Sequence, residues 1–463
     1  MLNIRIGQDE QTPIDRKIFG NFIEHIENCI LGGIFDKDHP LSDENGIRTD
    51  VLEACRELAP PILRFPGGTV IGIYHWEDHV GPVSERKRMQ NLIWGDRLCH
   101  EFGTAEFVSY CRAIGAEPML CVNMPTGSAE EAAHWVEYCN GTGDTYYANL
   151  RRSHGYEEPF GVKYWCIGNE SHAEPDLGWQ HDVNIYVREA WEFCKYMKLT
   201  DPEIKLVLVG QKEAWNRAVL DSMYGVCDYL SVHFYASTND YDRITRFENG
   251  TLRETEALLR EYNAREIVHS HWYRFPPRSA PIRIALDEWN IWSSGAREFG
   301  RYGLQRRYTW RDALFTARFL LMMIRHAETV GIANLAQMVN VIAPIVSDAR
   351  GTFRQTTFYP LKLFTERCGN TRLAVSTDAD APIDLCATRN ADGSDTVLLV
   401  NHTEEPITLR FARPVTEMTV LSCADPDVVN GHDRNAVTET TLTPNDPTAT
   451  LPPYSVAAID LGA

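Results

Sequence analysis

The feature that most constrains this chain is an alternation. Over its first three quarters, short apolar runs take turns with longer stretches whose apolar residues recur at three- and four-residue spacing. The runs are "IFGNFIEHI" (18–26), "PILRFPGG" (61–68), "EPMLCVNM" (117–124), "VKYWCIGNE" (162–170), "IKLVLVGQ" (204–211), "DYLSVHFYA" (228–236), "IRIALDEWN" (282–290) and "GIANLAQMVN" (331–340). Between most of them lie helical patterns such as "GTAEFVSYCRAIGA" and the largely apolar "YTWRDALFTARFLLMMIRHAETV". Strands that alternate with helices pair in parallel through right-handed crossovers, and eight such units predict a closed α/β architecture, the (β/α)8 TIM barrel.

After about residue 365 the helical patterns stop. The chain continues as "TRLAVST", "IDLCATR", "DTVLLVNHT", "PITLRFA", "EMTVLS", "TETTLT" and "SVAAIDL", separated by turn signals such as "NADGSD". These predict an accessory antiparallel β-sandwich, into which the opening strand "LNIRIG" can pair. The expected division is a barrel over 15–362 and a sandwich built from 1–14 plus 363–463.

A length of 463 residues with 44% hydrophobic content can supply such a core. The net charge of −19 argues against nucleic acid as a partner, which needs clustered Lys and Arg. No window approaches about 18 consecutive apolar residues, and the N-terminus lacks a basic region followed by an apolar one. No membrane partner and a cytoplasmic location are therefore expected. The 12 cysteines form no CxxC, and several sit in apolar runs such as "PMLCVNM", as reduced structural thiols do.

In a barrel of this kind chemistry sits at the C-terminal ends of the strands. Nearly every run ends in polar residues: Glu24-His25, Arg64, Asn123, Asn169-Glu170, Gln211, His233 with Tyr235, Asp287-Glu288 and Asn290, and Gln337 with Asn340. One polar strand end is ordinary hydrogen bonding. A ring of them, with carboxylates on the fourth and seventh strands, suits glycoside hydrolysis, in which one carboxyl protonates the leaving oxygen and the other attacks the anomeric carbon or activates water. In that reading Asn169 contacts a sugar hydroxyl, Arg64 keeps the nucleophile ionised and Tyr235 orients it. Trp289, Trp292, Tyr74 and Trp76 offer flat faces for sugar rings, or else pack in the core.

Two other classes are weighed. His75, Glu77 and His79 in "YHWEDH", and His269 with His271 in "HSHW", suggest metal ligands, but neither group has the His-Glu-x-x-His spacing. A non-catalytic sugar-binding protein needs aromatic platforms but not two opposed carboxylates. The expectation is an enzyme without metal or cofactor.

The chain resembles glycoside hydrolase family 51, the α-L-arabinofuranosidases. The resemblance rests on "GNFIEHIENCILGGIFD", "GIRTDVLEACRELAPPILRFPGG", "YHWEDHVGP", "NLIWG", "EFGTAEFVSYCRAIGAEPMLCVN", "WCIGNE", "VHFY", "LDEWNIW" and "LAQMVNVIAPI". It implies a barrel with a sandwich, retention of anomeric configuration, no cofactor and commonly a homohexamer. Position by position it implies Glu170 as acid/base and Glu288 as nucleophile. Glu24 would hold the furanose hydroxymethyl oxygen, Arg64 and Tyr235 would support the nucleophile, and Asn169 would meet the 2-hydroxyl. Gln337 and Trp292 match pocket positions, and His233 matches a strand-six histidine behind them.

This chain departs from the family where Thr69 replaces an Asn or Cys after "PGG", at Glu27-Asn28, at "NMPTG" (123–127) and through "SHAEPDLGWQHD" (171–182). These segments shape the pocket rim, so mechanism transfers better than substrate. The expected substrates are arabinose-containing oligosaccharides or glycosides, cleaved at terminal α-L-arabinofuranosyl residues. A β-D-galactofuranosidase, or a β-xylosidase or endo-glycanase on the same frame, is the alternative.

Overall fold

The computed structural model describes all residues except 96, 175, 238–239, 241, 268–274, 293–303, 380–381 and 463. Eight strands close into a parallel barrel: β2 (Gly20–Phe22), β3 (Ile62–Phe65), β4 (Glu117–Val122), β5 (Tyr164–Ile167), β6 (Lys205–Leu208), β7 (Tyr229–Ala236), β8 (Arg283–Ile291) and β9 (Val330–Ala336), with β2 pairing both β3 and β9. Each lies within one of the eight apolar runs except at its ends. The interior follows the two-residue period of a strand: Ile62, Met119, Cys121, Tyr164, Cys166, Val207, Ala285 and Ile332 form one buried cluster. Helices cover the outside.

A second sheet of nine strands contains β1 (Leu2–Pro13), β12 (Thr371–Thr377), β13 (Ile383–Arg389), β14 (Asp395–Asn401), β15 (Ile407–Arg410), β16 (Val415–Ser422), β17 (Thr438–Leu442), β18 (Thr448–Leu451) and β19 (Ser455–Leu461). The first strand joins its two layers. It pairs antiparallel with β12 through Ile4–Ile6 and Gln11–Pro13, and parallel with β15 through Leu2 and Asn3. That parallel pair is the one departure from the antiparallel expectation. Leu2, Ile4, Leu409 and Leu451 from one side meet Val397, Met418 and Ile459 from the other in a shared core, which makes the sheet a sandwich. Two features carried no clear sequence signal: β18 and the hairpin of β10 (Ile345–Asp348) with β11 (Gly351–Arg354).

The helix Trp310–Arg325 explains why its sequence is apolar almost all round. Thr309 and Asp312 form a capping box at its start. Beyond it the helix is wedged between barrel and sandwich: Phe319 stacks on Trp289 at 4.6 Å, Cys386 Sγ donates to the Leu321 carbonyl, and Arg318 pairs with Asp384 at 2.6 Å. A helix buried on both faces has no use for a polar stripe. All twelve cysteines are unpaired and buried, in keeping with structural thiols. No helix among the described residues is long and apolar enough to cross a membrane.

Candidate active site

Strand β7 builds one wall of the site by simple alternation. Tyr229, Ser231, His233 and Tyr235 point to one face, and the last three each reach a carboxylate: Ser231 Oγ donates to Asp287 Oδ1 at 2.5 Å, His233 Nδ1 lies 2.7 Å from Glu170 Oε1, and Tyr235 Oη donates to Glu288 Oε2 at 2.8 Å. On β8 alternation alone would send Asp287 and Glu288 to opposite faces. Instead Ser231 pairs with Ala285 but His233 with Glu288, so β8 carries one extra residue at this level. Such a bulge re-aims a side chain, and both carboxylates turn inward.

The chain after β5 solves the same problem with a turn. Gly168 has φ of 82° and Glu170 has φ of 40°. A non-glycine residue in the left-handed region costs about 1–3 kcal/mol and persists only where its surroundings over-determine it. Here the turn brings Asn169 and Glu170 over the barrel mouth together.

Arg64 ties the two halves. Its guanidinium is fully buried, with Nη1 donating to Glu288 Oε1 at 2.8 Å, Nη2 donating to Asn169 Oδ1 at 2.7 Å and Nε 3.6 Å from Asp287 Oδ2. Burial disfavours its charge, but Asp287 and Glu288 outweigh that and hold Arg64 well above its ordinary range. Burial likewise opposes ionisation of Asp287, and Arg64, His233 and Ser231 overcome it, lowering that carboxyl to about 2. His233, although buried, is pushed well up by Glu288, Asp287 and Glu170, so the ring is an imidazolium between carboxylates. Glu170 resists ionisation by burial, yet the His233 hydrogen bond and charge bring it down to about 2.

A cavity of about 250 Å³ opens above these groups, lined by Glu24, Gly68, Thr69, Trp94, Glu170, Asp176, Tyr235, Glu288, Trp292 and Gln337 together with apolar side chains from Ile26, Leu304, Val341 and Ile342. In its wall Glu24 Oε1 accepts from the Val70 amide at 3.2 Å and Trp94 Nε1 at 3.0 Å, and Oε2 accepts from Gln337 Nε2 at 3.2 Å. Gly68 packs on the same carboxyl: a Cβ there would stand 2.8 Å from Glu24 Oε2 and would displace it. Burial, with a contribution from Glu288, raises Glu24 to about 8.

The structure brings Glu24, Arg64, Thr69, Asn169, Glu170, His233, Tyr235, Glu288, Trp292 and Gln337 together around this cavity. Glu24, Thr69, Glu170, Tyr235, Glu288, Trp292 and Gln337 stand on the cavity wall, and Arg64, Asn169 and His233 lie directly behind the carboxylates. Of the four aromatic residues considered for sugar stacking, only Trp292 reaches the cavity, 39% exposed and edge-on to Tyr235 at 5.4 Å. Tyr74, Trp76 and Trp289 are core: Tyr74 stacks on His79 at 4.4 Å, Trp76 on Trp135 and Trp289 on Phe319. The "YHWEDH" residues diverge, with His75 on Glu131 at 3.0 Å, Glu77 accepting from Tyr147 and His79 buried against Tyr74. His269 and His271 lie outside the described residues.

Asp287, named from sequence only as a polar strand end, braces Arg64 and His233. Three contributors go beyond the sequence reading: Ser231 follows from strand alternation and Trp94 from its place in "NLIWG". Asp176, which accepts from Thr69 Oγ1 at 3.1 Å, sits in the divergent loop and had no sequence signal.

Known proteins resemble this chain over most of its length. The α-L-arabinofuranosidase 1 domain matches residues 54–252 and the α-L-arabinofuranosidase C-terminal domain matches 287–455. The probable α-L-arabinofuranosidase C of Aspergillus clavatus is 37% identical over 93% of this chain and 91% of its own. An intracellular exo-α-(1→5)-L-arabinofuranosidase of Halalkalibacterium halodurans is 38% identical over 75% of this chain and 71% of its own. The arabinose complex of the Thermotoga maritima α-L-arabinofuranosidase superposes with a TM-score of 0.89 at 33% identity, covering 100% of both chains. The family 51 enzyme of Thermotoga petrophila gives 0.89 at 31% with the same coverage. A shared barrel, a shared sandwich and identity above 30% over most of the length lead to one conclusion: this chain belongs to glycoside hydrolase family 51, the α-L-arabinofuranosidases.

Proposed function

We propose that the protein removes terminal non-reducing α-L-arabinofuranosyl residues from oligosaccharides or glycosides by a two-step, retaining mechanism. The observation that carries the mechanism is a spacing: reactive oxygens of Glu170, Glu288 and the His233 ring all fall within 4.8 Å of one another. Carboxyls this close, under the roughly 6.5–9.5 Å of inverting pairs, leave no room for a water between carboxylate and anomeric carbon, so one must attack directly. Glu288 suits that role, because Arg64 neutralises one oxygen and Tyr235 orients the other. Glu170 then protonates the departing oxygen and later takes a proton from the water that cleaves the glycosyl-enzyme.

Exo action is supported by the cavity, which at about 250 Å³ falls below the usual roughly 300–1,000 Å³ of drug-sized pockets and has the buried Glu24 in its wall. One furanose ring fits, with Glu24 and Gln337 at its exocyclic arm. The Halalkalibacterium relative, intracellular and exo-acting by name, supports the same mode and a cytoplasmic site of action. In this reading residues 15–362 form the catalytic barrel and 1–14 with 363–463 the sandwich.

Azide separates the two glutamates. Glu170→Ala should lose most activity on poor leaving groups, keep much of it on nitrophenyl α-L-arabinofuranoside, and yield in azide a glycosyl azide of retained configuration. Glu288→Ala should be crippled with every leaving group, and any azide product must be inverted. Proton NMR of the anomeric centre reads both. An inverted product from Glu170→Ala with a retained one from Glu288→Ala reverses the roles, and no product from either refutes the assignment.

A further inference from the structure

Glu170 stands in a state that its first task cannot use. As an acid it must carry a proton, yet burial is outweighed by His233 and its carboxyl is held down to about 2. The proton has to be close by. His233 Nδ1 lies 2.7 Å from Glu170, but its ring is held charged by three carboxylates; the carboxylic acid at hand is Asp176, six residues further along the chain, which lines the same cavity beside Glu170. Asp176 Oδ2 accepts from Thr69 Oγ1 at 3.1 Å, which fixes the side chain against the rim. Ionised carboxylates are acceptors only, so two carboxyl groups can be hydrogen-bonded to each other only if one of them is protonated. Two carboxyls turned into one cavity of about 250 Å³ therefore favour sharing one proton.

We propose that Asp176 is a positioning residue for acid–base catalysis: it and Glu170 form a one-proton carboxyl pair, and the shared proton is the one the leaving glycosidic oxygen receives. This rests on Glu170 being the acid/base. In the first step the bond from the anomeric carbon to the leaving oxygen breaks as Glu288 bonds to that carbon. The pair's proton goes to the leaving oxygen through Glu170 and leaves both carboxyls ionised. In the second step water attacks the anomeric carbon, the Glu288 ester bond breaks, and water's proton returns to the pair. The cycle closes with no outside acid.

The surroundings fit this division. Burial first, then the charge and hydrogen bond of Glu170, raise Asp176 to about 7, with Glu288 adding to the rise and Thr69 pulling against it. On the Glu170 side His233 and His172 face the pair; His172 is lowered to about 4 by burial, so it is neutral near pH 7. The remaining proton thus rests mainly on Asp176 while Glu170 stays poised.

Two substitutions test the pair in opposite directions, read as the alkaline limb of kcat/KM with methyl α-L-arabinofuranoside and with the 2,4-dinitrophenyl glycoside, whose leaving group needs no proton. Asp176→Asn keeps the shape and removes the proton, so the limb should move down by about one pH unit or more and the methyl substrate should lose about tenfold at pH 7. The dinitrophenyl substrate should change by less than about threefold. Thr69→Val removes the donor that favours ionised Asp176, and its limb should move up. An unmoved limb in either folded variant, or equal losses with both substrates, overturns the pair. If Asp176→Asn does not fold, Thr69→Val decides alone. Failure of the parent reading looks different, because it appears as loss of azide rescue in Glu170→Ala.

Discussion

Glu24 is 4% exposed and receives three N–H donors, yet burial holds it protonated up to about pH 8. Its folded pKa lies above its unfolded one. The native state keeps a proton that the unfolded chain has released, so the group's contribution is fully present below about pH 4.5 and drains away as pH rises to about 8. Each tenfold in proton affinity is worth about 1.4 kcal/mol, so the protein should be about 3 kcal/mol less stable at pH 7, and about 5 kcal/mol less above pH 8, than in acid. Glu24→Gln removes the titration. Its amide oxygen can still accept from Val70 and Trp94, but its NH2 would face the Gln337 NH2, so the Gln337 amide must flip and its Oε1, which accepts from Cys29 Sγ at 3.9 Å, gives up that contact. That rearrangement costs about 1 kcal/mol.

The net expectation is a gain of about 2 kcal/mol at pH 7. At about 2.1 cal/mol/K per residue the unfolding entropy of this chain is about 1 kcal/mol/K, so Tm should rise by about 2 °C at pH 7 and by about 3–4 °C at pH 8.5. Thermal melts of both proteins from pH 4.5 to 8.5 measure it. The variant should show no advantage at pH 4.5 and a growing one above. A Tm difference that is constant across this range, or largest in acid, refutes the reasoning. The stabilised variant should also lose kcat/KM, since the residue that costs the fold its stability is the one placed to meet the sugar.

Thr69→Asn should change the ratio of kcat/KM among α-L-arabinofuranoside, β-D-galactofuranoside and β-D-xylopyranoside by about 2- to 12-fold, the worth of one hydrogen bond of about 0.5–1.5 kcal/mol; unchanged ratios across the nitrophenyl panel would place Thr69 out of reach of the sugar. EDTA should leave activity intact and Zn²⁺ should not be required. Glu170, His233 and Glu288 lie as close as metal ligands do, but Arg64 stands 2.8 Å from Glu288 and already supplies the positive charge. Loss with chelator and recovery with metal would show the carboxylates to be ligands instead.

How far the site could be read from sequence depends on what aims each side chain. A strand fixes direction by alternation, and closing eight strands fixes their neighbours, so a polar residue ending an apolar run is committed to the barrel mouth. His233 and Tyr235 are two apart and both point inward, as two apart requires. The same rule misjudges Trp289, which looks like a rim aromatic beside Glu288. The β8 bulge turns Glu288 in and leaves Trp289 facing outward onto Phe319. Its neighbour Trp292 lies one residue past the end of β8 and is free to reach the cavity.

Loops carry no such rule. Asp176 belongs to a stretch without periodicity, six residues past a glutamate whose own φ is left-handed, and nothing local says that its carboxyl returns to that glutamate. Only the tertiary position of Thr69, more than 100 residues earlier in the chain, makes the return visible. Thr69 and Asp176 also occupy two of the four segments where this chain departs from its family's pattern, and they touch each other. A substitution that removed an amide from the rim has gained, in the hydroxyl of Thr69, a donor for a carboxylate beside Glu170. The two departures therefore act as one: neither Thr69→Asn nor Asp176→Asn should be neutral to the other, and their combined effect on the alkaline limb should differ from the sum of the single shifts, as residues in direct hydrogen-bond contact couple.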